Sequence, residues 1–261
     1  MTYQRKTGES TADRKRRERG ERAVERQLDY QEKKSAAMTG DPHMTALTIK
    51  ARAQKIRTML EEHKPIEPDS RVLEVGSGAH GLIFGFEEML AVGIDPLAVE
   101  YKSLFPLWQN DATTVASIGE ELPFDDAIFD VVLSDNVIDH AADPEKIVDE
   151  LVRVLKPEGI LYFSVNTHHP IYQPISSLHG FWNSAGIKFE IGPFADHTVH
   201  FTEKRVKEIF TRLPVDVLWN SPSFDRSALK GANTKGLEAK IKRIFPKNIL
   251  FEIIAKKTSE S

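Results

Sequence analysis

Residues 71–81 read RVLEVGSGAHG and join a short apolar run to a glycine-rich turn. Residues 71–75 have the length and the apolar content of a buried strand. Gly76, Gly78 and Gly81 follow with the spacing G-x-G-x-x-G. A turn of this kind between a strand and a helix lets backbone N–H groups approach a ligand closely. We therefore expect an α/β sheet with a ligand site directly after its first strand.

A carboxylate lies at a matching place after the second predicted strand, residues 91–94. That strand ends at Asp95, nineteen residues after Gly76. In a parallel sheet Asp95 would lie beside the glycine turn, where it could accept hydrogen bonds from two ribose hydroxyls. The combination predicts a nucleoside-binding site. The alternative is a tight turn that needs glycine for backbone reasons alone.

The rest of the chain alternates between strand-like and helix-like segments. Such alternation predicts βαβ units and a parallel sheet, with ligands bound beyond the carboxyl ends of its strands. Further strands are predicted near residues 113–118, 129–133, 159–165, 215–219 and 248–255. Helices are predicted over residues 45–64, 79–90 and 96–105, from Pro144 to before Pro157, and after Thr202.

Composition and charge exclude several kinds of protein and of functional site. The 261 residues carry a net charge of −4 and contain no cysteine, which excludes disulfides, thiolate catalysis and Cys-ligated metals. No apolar run reaches the ~20 residues of a membrane span, so we expect a cytoplasmic protein without one. Residues 1–40 are polar and charge-mixed and predict an N-terminal helical arm. Residues 41–261 would form one domain, with a lid or acceptor insertion at 167–200 and a basic insertion at 221–247.

Glu74 separates two ligand classes that share this glycine spacing, dinucleotides and S-adenosylmethionine (SAM). A carboxylate two residues before Gly76 would repel a pyrophosphate, whereas it suits the ammonium group of a methionine moiety. Glu74 therefore favours SAM. The other interpretation is an acid at the edge of the site that orients the turn.

Four segments resemble the class I SAM-dependent methyltransferases, most closely the type 11 methyltransferase domain. They are VLEVGSGAHG (72–81), VGIDP (92–96), LPFDDAIFDVVLS (122–134) and ELVRVLKPEGILYFSVN (150–166). The resemblance covers about residues 70–166. It implies a Rossmann-like, mostly parallel seven-stranded sheet in the order 3-2-1-4-5-7-6, with an antiparallel last strand and helices on both faces.

The resemblance also implies a set of cofactor contacts. Asp95 would hold the ribose, with Pro96 and Leu97 against the adenine. The acid that the family places at the adenine edge is absent, since Ile118-Gly119 occupies that position. The backbone N–H of Gly119 or the side chain of Glu120 would replace it. The methionine end of the cofactor would be lined by Glu74, Gly76, Ser77 and Gly78. The sulfonium would face Ser134 and Asp135.

Methyl transfer needs a base only when the nucleophile must lose a proton. Candidates in the loops after the fourth and fifth strands are Asp139, His140, His168 and His169, with a packing role as the alternative for each. Five histidines fall between residues 168 and 200, but their spacing matches no robust metal-ligand motif. We therefore expect SAM as cofactor and no metal.

The sequence alone allows several acceptors for the methyl group. The aromatic and histidine-bearing segment 167–200 favours a small-molecule or glycan-like acceptor in a closed pocket. The basic segments instead suggest an RNA or protein methyltransferase. The missing adenine-side acid allows a non-catalytic SAM- or nucleotide-binding module, and a dehydrogenase ranks last. Nothing in the sequence fixes the oligomeric state.

Overall fold

The structure is a computed structural model that describes residues 10–37, 42–109, 113–167, 201–221 and 249–259. Most of the predicted lid, 167–200, and of the predicted basic insertion, 221–247, therefore lies outside the described residues. The fold below is that of the five described ranges.

Seven strands form one sheet in the order β3-β2-β1-β4-β5-β7-β6. Neighbouring strands are parallel, except that β7 runs antiparallel to both β5 and β6. The predicted strand order and the antiparallel last strand are confirmed. The strands are β1 (Arg71–Val75), β2 (Leu90–Ile94), β3 (Thr114–Val115), β4 (Phe129–Asp135), β5 (Leu155–Thr167), β6 (Val215–Asn220) and β7 (Ile249–Lys257).

Helices cover both faces of the sheet, as predicted. One face packs against α5 and α6 through residues such as Leu151 and Phe210, and the other packs against α2 through Ile56 and Leu60. The helices are α1 (Thr11–Ala37), α2 (Pro42–Glu61), α3 (Ala98–Leu104), α4 (Pro106–Gln109), α5 (Pro144–Val154) and α6 (Glu203–Phe210). Single 3-10 turns occur at Leu82–Gly85 and Ile138–His140.

The prediction of a helix over residues 79–90 is wrong. Only the 3-10 turn Leu82–Gly85 forms there. The side chain of Glu74 accepts hydrogen bonds from the N–H groups of Leu82 and Ile83, which fixes the start of the short turn. A Cβ at Gly85 would overlap the methyl group of Ala53 in α2. Helix α2 therefore packs directly against this turn.

Two predicted strands have different bounds in the structure. β3 is only two residues long, and β5 begins at Leu155 rather than at residue 159. Leu155 pairs with Phe129, and the register then shifts before Ile160 pairs with Val131. The irregular pairing explains how β5 accommodates Pro157, because proline is tolerated in sheets at such irregularities.

The predicted N-terminal arm contains α1. Val24 and Leu28 of this helix pack against a cluster that includes Tyr101. The division into an arm, 1–40, and a domain, 41–261, stays a prediction. No helix in the described part of the chain is both long enough and apolar enough to span a membrane.

Candidate functional site

The glycine turn is built on the second strand. The N–H groups of Gly76 and Ser77 both donate to the carbonyl oxygen of Ile94, at 2.7 and 3.0 Å. Gly76 has φ +76°, and a Cβ at this position would overlap the side chain of Val137. Glycine is therefore required here both by the backbone conformation and by the neighbouring loop.

Gly78 differs from Gly76, because no neighbouring side chain among the described residues would meet a Cβ there. Its φ is +56°, but no described atom outside the adjacent residues lies within 4 Å of the place where a Cβ would be. Its N–H donates to Oδ2 of Asp95 at 3.0 Å. The turn is thus held against the end of β2, while the Cα of Gly78 borders a cleft that no described residue fills.

Asp95 is the carboxylate of this cleft. Its Oδ1 accepts from the N–H of Leu97 at 2.9 Å, and its side chain also interacts with the hydroxyl of Tyr101. Burial raises the pKa of Asp95, while the N–H groups of Leu97 and Gly78 oppose that shift. Each carboxylate oxygen can accept more than one hydrogen bond, so Asp95 keeps acceptor capacity for a hydroxylated ligand. Pro96 is exposed next to it, and Leu97 is buried.

Glu74 is buried behind the turn, with 1% of its surface exposed. Both of its oxygens are engaged, at 2.9 Å each, by the N–H groups of Leu82 and Ile83. Burial raises its pKa to about 8. A Cβ at Gly81 would overlap this carboxyl group. These contacts match the second interpretation of Glu74, an acid that orients the turn, and its contact with a methionine ammonium stays a prediction.

Glu120, the expected substitute at the adenine edge, is also engaged. Its Oε1 accepts from the N–H groups of Ala142 and Asp143, at 3.0 and 3.2 Å. These N–H groups precede α5, so Glu120 fixes the start of that helix. Gly119 packs closely, because a Cβ there would lie 3.1 Å from Val75 at the end of β1. Residue 119 therefore borders the same end of the sheet as the glycine turn, and an adenine contact by either residue stays a prediction.

Two serine hydroxyls lie buried at the carboxyl ends of the central strands. Ser77 follows β1 and is 3% exposed, and Ser134 is the next-to-last residue of β4 and is fully buried. Neither Oγ has a hydrogen-bond partner among the described residues. Buried hydroxyl groups normally find a partner.

Asp135 ends β4, and α2 reaches it. Arg52 places Nη2 2.7 Å from each oxygen of Asp135. The hydroxyl of Ser164, on β5, donates to Oδ1 at 2.5 Å. Asp135 is therefore held by two partners on different elements, and its expected place near a sulfonium stays a prediction. Sequence reasoning missed Arg52, whose only signal was its place in an amphipathic pattern.

The base candidates are only partly described. Asp139 is buried in the 3-10 turn that follows β4. The side chain of His140 and the whole of His168 and His169 lie outside the described residues. No three His, Asp or Glu side chains group as metal ligands among the residues that the structure describes.

Two positioning residues also escaped the sequence analysis. Gln109 is fully buried, and its Nε2 donates to the carbonyl oxygen of Ala79 at 2.8 Å, which holds the glycine turn from behind. Tyr101 is 1% exposed and contacts Asp95 from α3. Each of these residues contacts a partner at least six positions away in the sequence. Neither belongs to a motif that could have pointed to it.

Part of the chain is similar to known proteins. Residues 73–163 match the family described as "Methyltransferase domain". An "Uncharacterized methyltransferase" of Mycobacterium sp. (strain JLS) is 37% identical over 95 residues, which are 36% of this chain and 37% of that protein. A protein of the same name from Mycolicibacterium vanbaalenii is 29% identical over 148 residues, 54% of this chain and 49% of that protein. The chain thus matches at most about half the length of these relatives.

Solved structures share the fold. A chain from the complex of the Haloferax volcanii Trm112 methyltransferase activator with a methyltransferase has a TM-score of 0.54 at 18% identity. The match covers 87% of this chain and 97% of that one. Geranyl diphosphate C-methyltransferase from Streptomyces coelicolor has a TM-score of 0.55 at 12% identity, covering 80% and 79%. At these identities the likeness concerns the fold alone.

Proposed function

We propose that this chain transfers a methyl group from SAM to an acceptor, because residues 73–163 match the family described as "Methyltransferase domain". One observation carries the proposal. The Asp95 carboxylate and the N–H of Gly78 are joined at 3.0 Å beside an open cleft at the ends of β1 and β2. A ligand with a ribose diol fits this arrangement, because the carboxylate accepts from both hydroxyls while Gly78 allows close approach.

The described residues fit the rest of the cofactor. Leu97 and Ile118 supply apolar surface for an adenine; Leu97 is buried and Ile118 is 50% exposed. Ser77 and Ser134, at the expected methionine end, carry buried hydroxyls without a hydrogen-bond partner among the described residues.

The chemistry asks little of the protein beyond placement. Bound SAM supplies an electrophilic methyl group on a sulfonium. An acceptor lone pair forms the new bond to the methyl carbon as the carbon–sulfur bond breaks, and S-adenosylhomocysteine leaves with the electron pair. The chain aligns the acceptor and excludes water, and such alignment can lower a barrier by roughly 7–11 kcal/mol. An acceptor proton, where there is one, would go to a base such as Asp139, His140 or His168.

We propose a small-molecule or glycan-like acceptor. The support is the sequence of residues 167–200, which combines histidines for proton handling with large aromatics that exclude water. An RNA or protein acceptor is the second candidate, because residues 221–247 are basic. Nucleic-acid binding through that segment would weaken steeply with salt.

Two experiments test the proposal in sequence. Calorimetry with SAM, S-adenosylhomocysteine and NAD+ should show binding of the first two and weaker or no binding of NAD+. Tighter binding of NAD+ would overturn the cofactor assignment. Methyl-labelled SAM is then incubated with the protein and with separate metabolite, RNA and protein fractions. Label in the metabolite fraction is expected, label in RNA or protein would establish the second candidate, and binding without any transfer would indicate a non-catalytic module.

A further inference from the structure

Helix α1 carries a narrow inward-facing stripe on an otherwise charged surface. Its less exposed positions include Gly20, Val24, Leu28, Gln31 and Ser35, spaced by three or four residues so that they share one helix face. Ser35 Oγ donates to the carbonyl oxygen of Leu104 at 2.8 Å. The helix is therefore docked through this one face between Gly20 and Ser35.

The path of α1 follows the carboxyl edge of the sheet. A Cβ at Gly20 would lie 3.4 Å from Ala142, in the loop between β4 and α5. Further along the helix, Val24 and Leu28 pack on the cluster of Ala79, Leu97, Tyr101 and Phe105. Ala79 follows β1, and Leu97 follows β2. One helix thus contacts the loops after β1, β2 and β4, which border the cleft described above.

A polar chain connects α1 to the cleft. The Tyr101 side chain interacts with Gln27 of α1 and with Asp95. The phenolic O–H can donate to the carboxylate and accept from the Gln27 amide. Displacement of α1 would therefore remove one partner from the residue that holds Asp95.

The described part of α1 does not fill the cleft. No described atom outside the adjacent residues lies within 4 Å of a Cβ position at Gly78. The helix buries few large apolar side chains, and pairs such as Arg17–Glu21 and Asp29–Lys33 lie on its exposed surface. Elements with few buried apolar contacts open at low free energy. Helix α1 therefore lies across the loops that border the cleft, and its small apolar contact area is of the kind that opens at low free energy.

We propose that α1 is a clasp over the cofactor cleft, whose docking and cofactor binding stabilise one another. The inference rests on the proposed SAM site, and it extends that site to a helix outside residues 73–163. Coupling between two such equilibria is reciprocal. Loosening α1 must then weaken cofactor binding, and the bound cofactor must protect α1.

The test compares Leu28→Glu with Tyr30→Glu in the full-length protein. Leu28 packs inward, whereas Tyr30 is 59% exposed on the same helix. We expect Leu28→Glu to weaken S-adenosylhomocysteine binding and speed its dissociation at least fivefold, and Tyr30→Glu to leave both within twofold. Hydrogen exchange over residues 20–35 should slow when S-adenosylhomocysteine binds the wild type. The readouts are calorimetry, stopped-flow displacement and peptide-level exchange.

A second variant covers the case in which Leu28→Glu does not fold. Tyr101→Phe removes only the hydroxyl between Gln27 and Asp95, and we expect it to weaken binding two- to fivefold and to accelerate exchange in α1. Unchanged affinity, dissociation and exchange in the folded variants, with a wild type that binds normally, would overturn the clasp alone. Failure of the wild type to bind SAM or S-adenosylhomocysteine would overturn the proposed function, and the clasp with it.

Discussion

Arg52 of α2 binds Asp135 at the end of β4 through two nitrogens: Nη2 lies 2.7 Å from each carboxylate oxygen, and Nε donates to Oδ2 at 3.2 Å. The pair is asymmetric in exposure, since the Arg52 side chain is 46% exposed and the Asp135 side chain 19%. The carboxylate raises the pKa of Arg52 against the effect of its burial. The pair joins α2, which precedes the matched residues 73–163, to the central strand of the sheet. It thereby fixes α2 beside the ends of β4 and β5.

The Arg52–Asp135 pair should stabilise the fold modestly. We expect Arg52→Ala to lower the free energy of unfolding by about 1 kcal/mol, because the guanidinium is partly solvated and screened. A double-mutant cycle with Asp135→Asn, followed by urea denaturation, isolates the coupling between the two side chains. Lys55→Ala, at an exposed position of α2, is the control. Additive effects in the cycle would show that the pair contributes nothing of its own.

Replacing Asp95 should impair cofactor binding more than folding. Asp95→Ala removes two expected charge-assisted ribose contacts, each of order 1.5–3 kcal/mol, so SAM affinity should fall at least tenfold. It also frees the N–H groups of Gly78 and Leu97, which lowers stability to a lesser degree. Calorimetry and thermal unfolding are compared with Asp125→Ala, an exposed change away from the cleft. Unchanged SAM affinity would remove Asp95 from the site.

The sheet and the cleft follow from local sequence, and the departures have long-range causes. Residues 71–81 and Asp95 lie where predicted because strand, turn and acid are all encoded within 25 residues. The helix expected at 79–90 fails because Glu74 engages the backbone of the following turn and because Ala53, far away in sequence, packs on Gly85. No periodicity within 79–90 carries that information.

The hydrogen-bond and ion-pair partners of the site residues also could not be predicted from local sequence. Arg52 and Asp135 are separated by 83 positions, and Gln27 reaches Tyr101 from a segment that composition alone marks as a charged arm. Glu120 was predicted as an adenine contact from its place near a motif, yet its carboxylate fixes the start of α5. Motif spacing locates a residue on an edge of the sheet. It does not reveal which of several nearby groups the side chain will bind.

The glycines of the turn should separate folding from binding. In Gly81→Ala the new methyl group overlaps the Glu74 carboxyl group, so we expect a loss of stability of about 1–3 kcal/mol, as for other overpacked sites. Gly78→Ala meets no neighbour, although its φ of +56° carries some strain. Its methyl group would project into the cleft. Gly78→Ala should therefore lose more SAM affinity than stability, as measured by calorimetry and urea denaturation, and the opposite ranking would contradict the placement of the cleft.

The last prediction concerns pH and the buried Glu74. Burial raises its folded-state pKa from 4.5 to about 8, so between these values the folded state binds more protons than the unfolded state. The free energy of unfolding must then fall as pH rises through this window, by less than about 1.4 kcal/mol per pH unit for one group. Glu74→Gln cannot titrate and should show a shallower decline between pH 5 and pH 8, although it starts from lower stability because its amide meets a backbone N–H. Urea denaturation across that range measures both slopes, with Glu62→Gln as the exposed control. Equal slopes in wild type and Glu74→Gln would mean that Glu74 is ionised throughout, stabilised by its two N–H donors against the effect of burial.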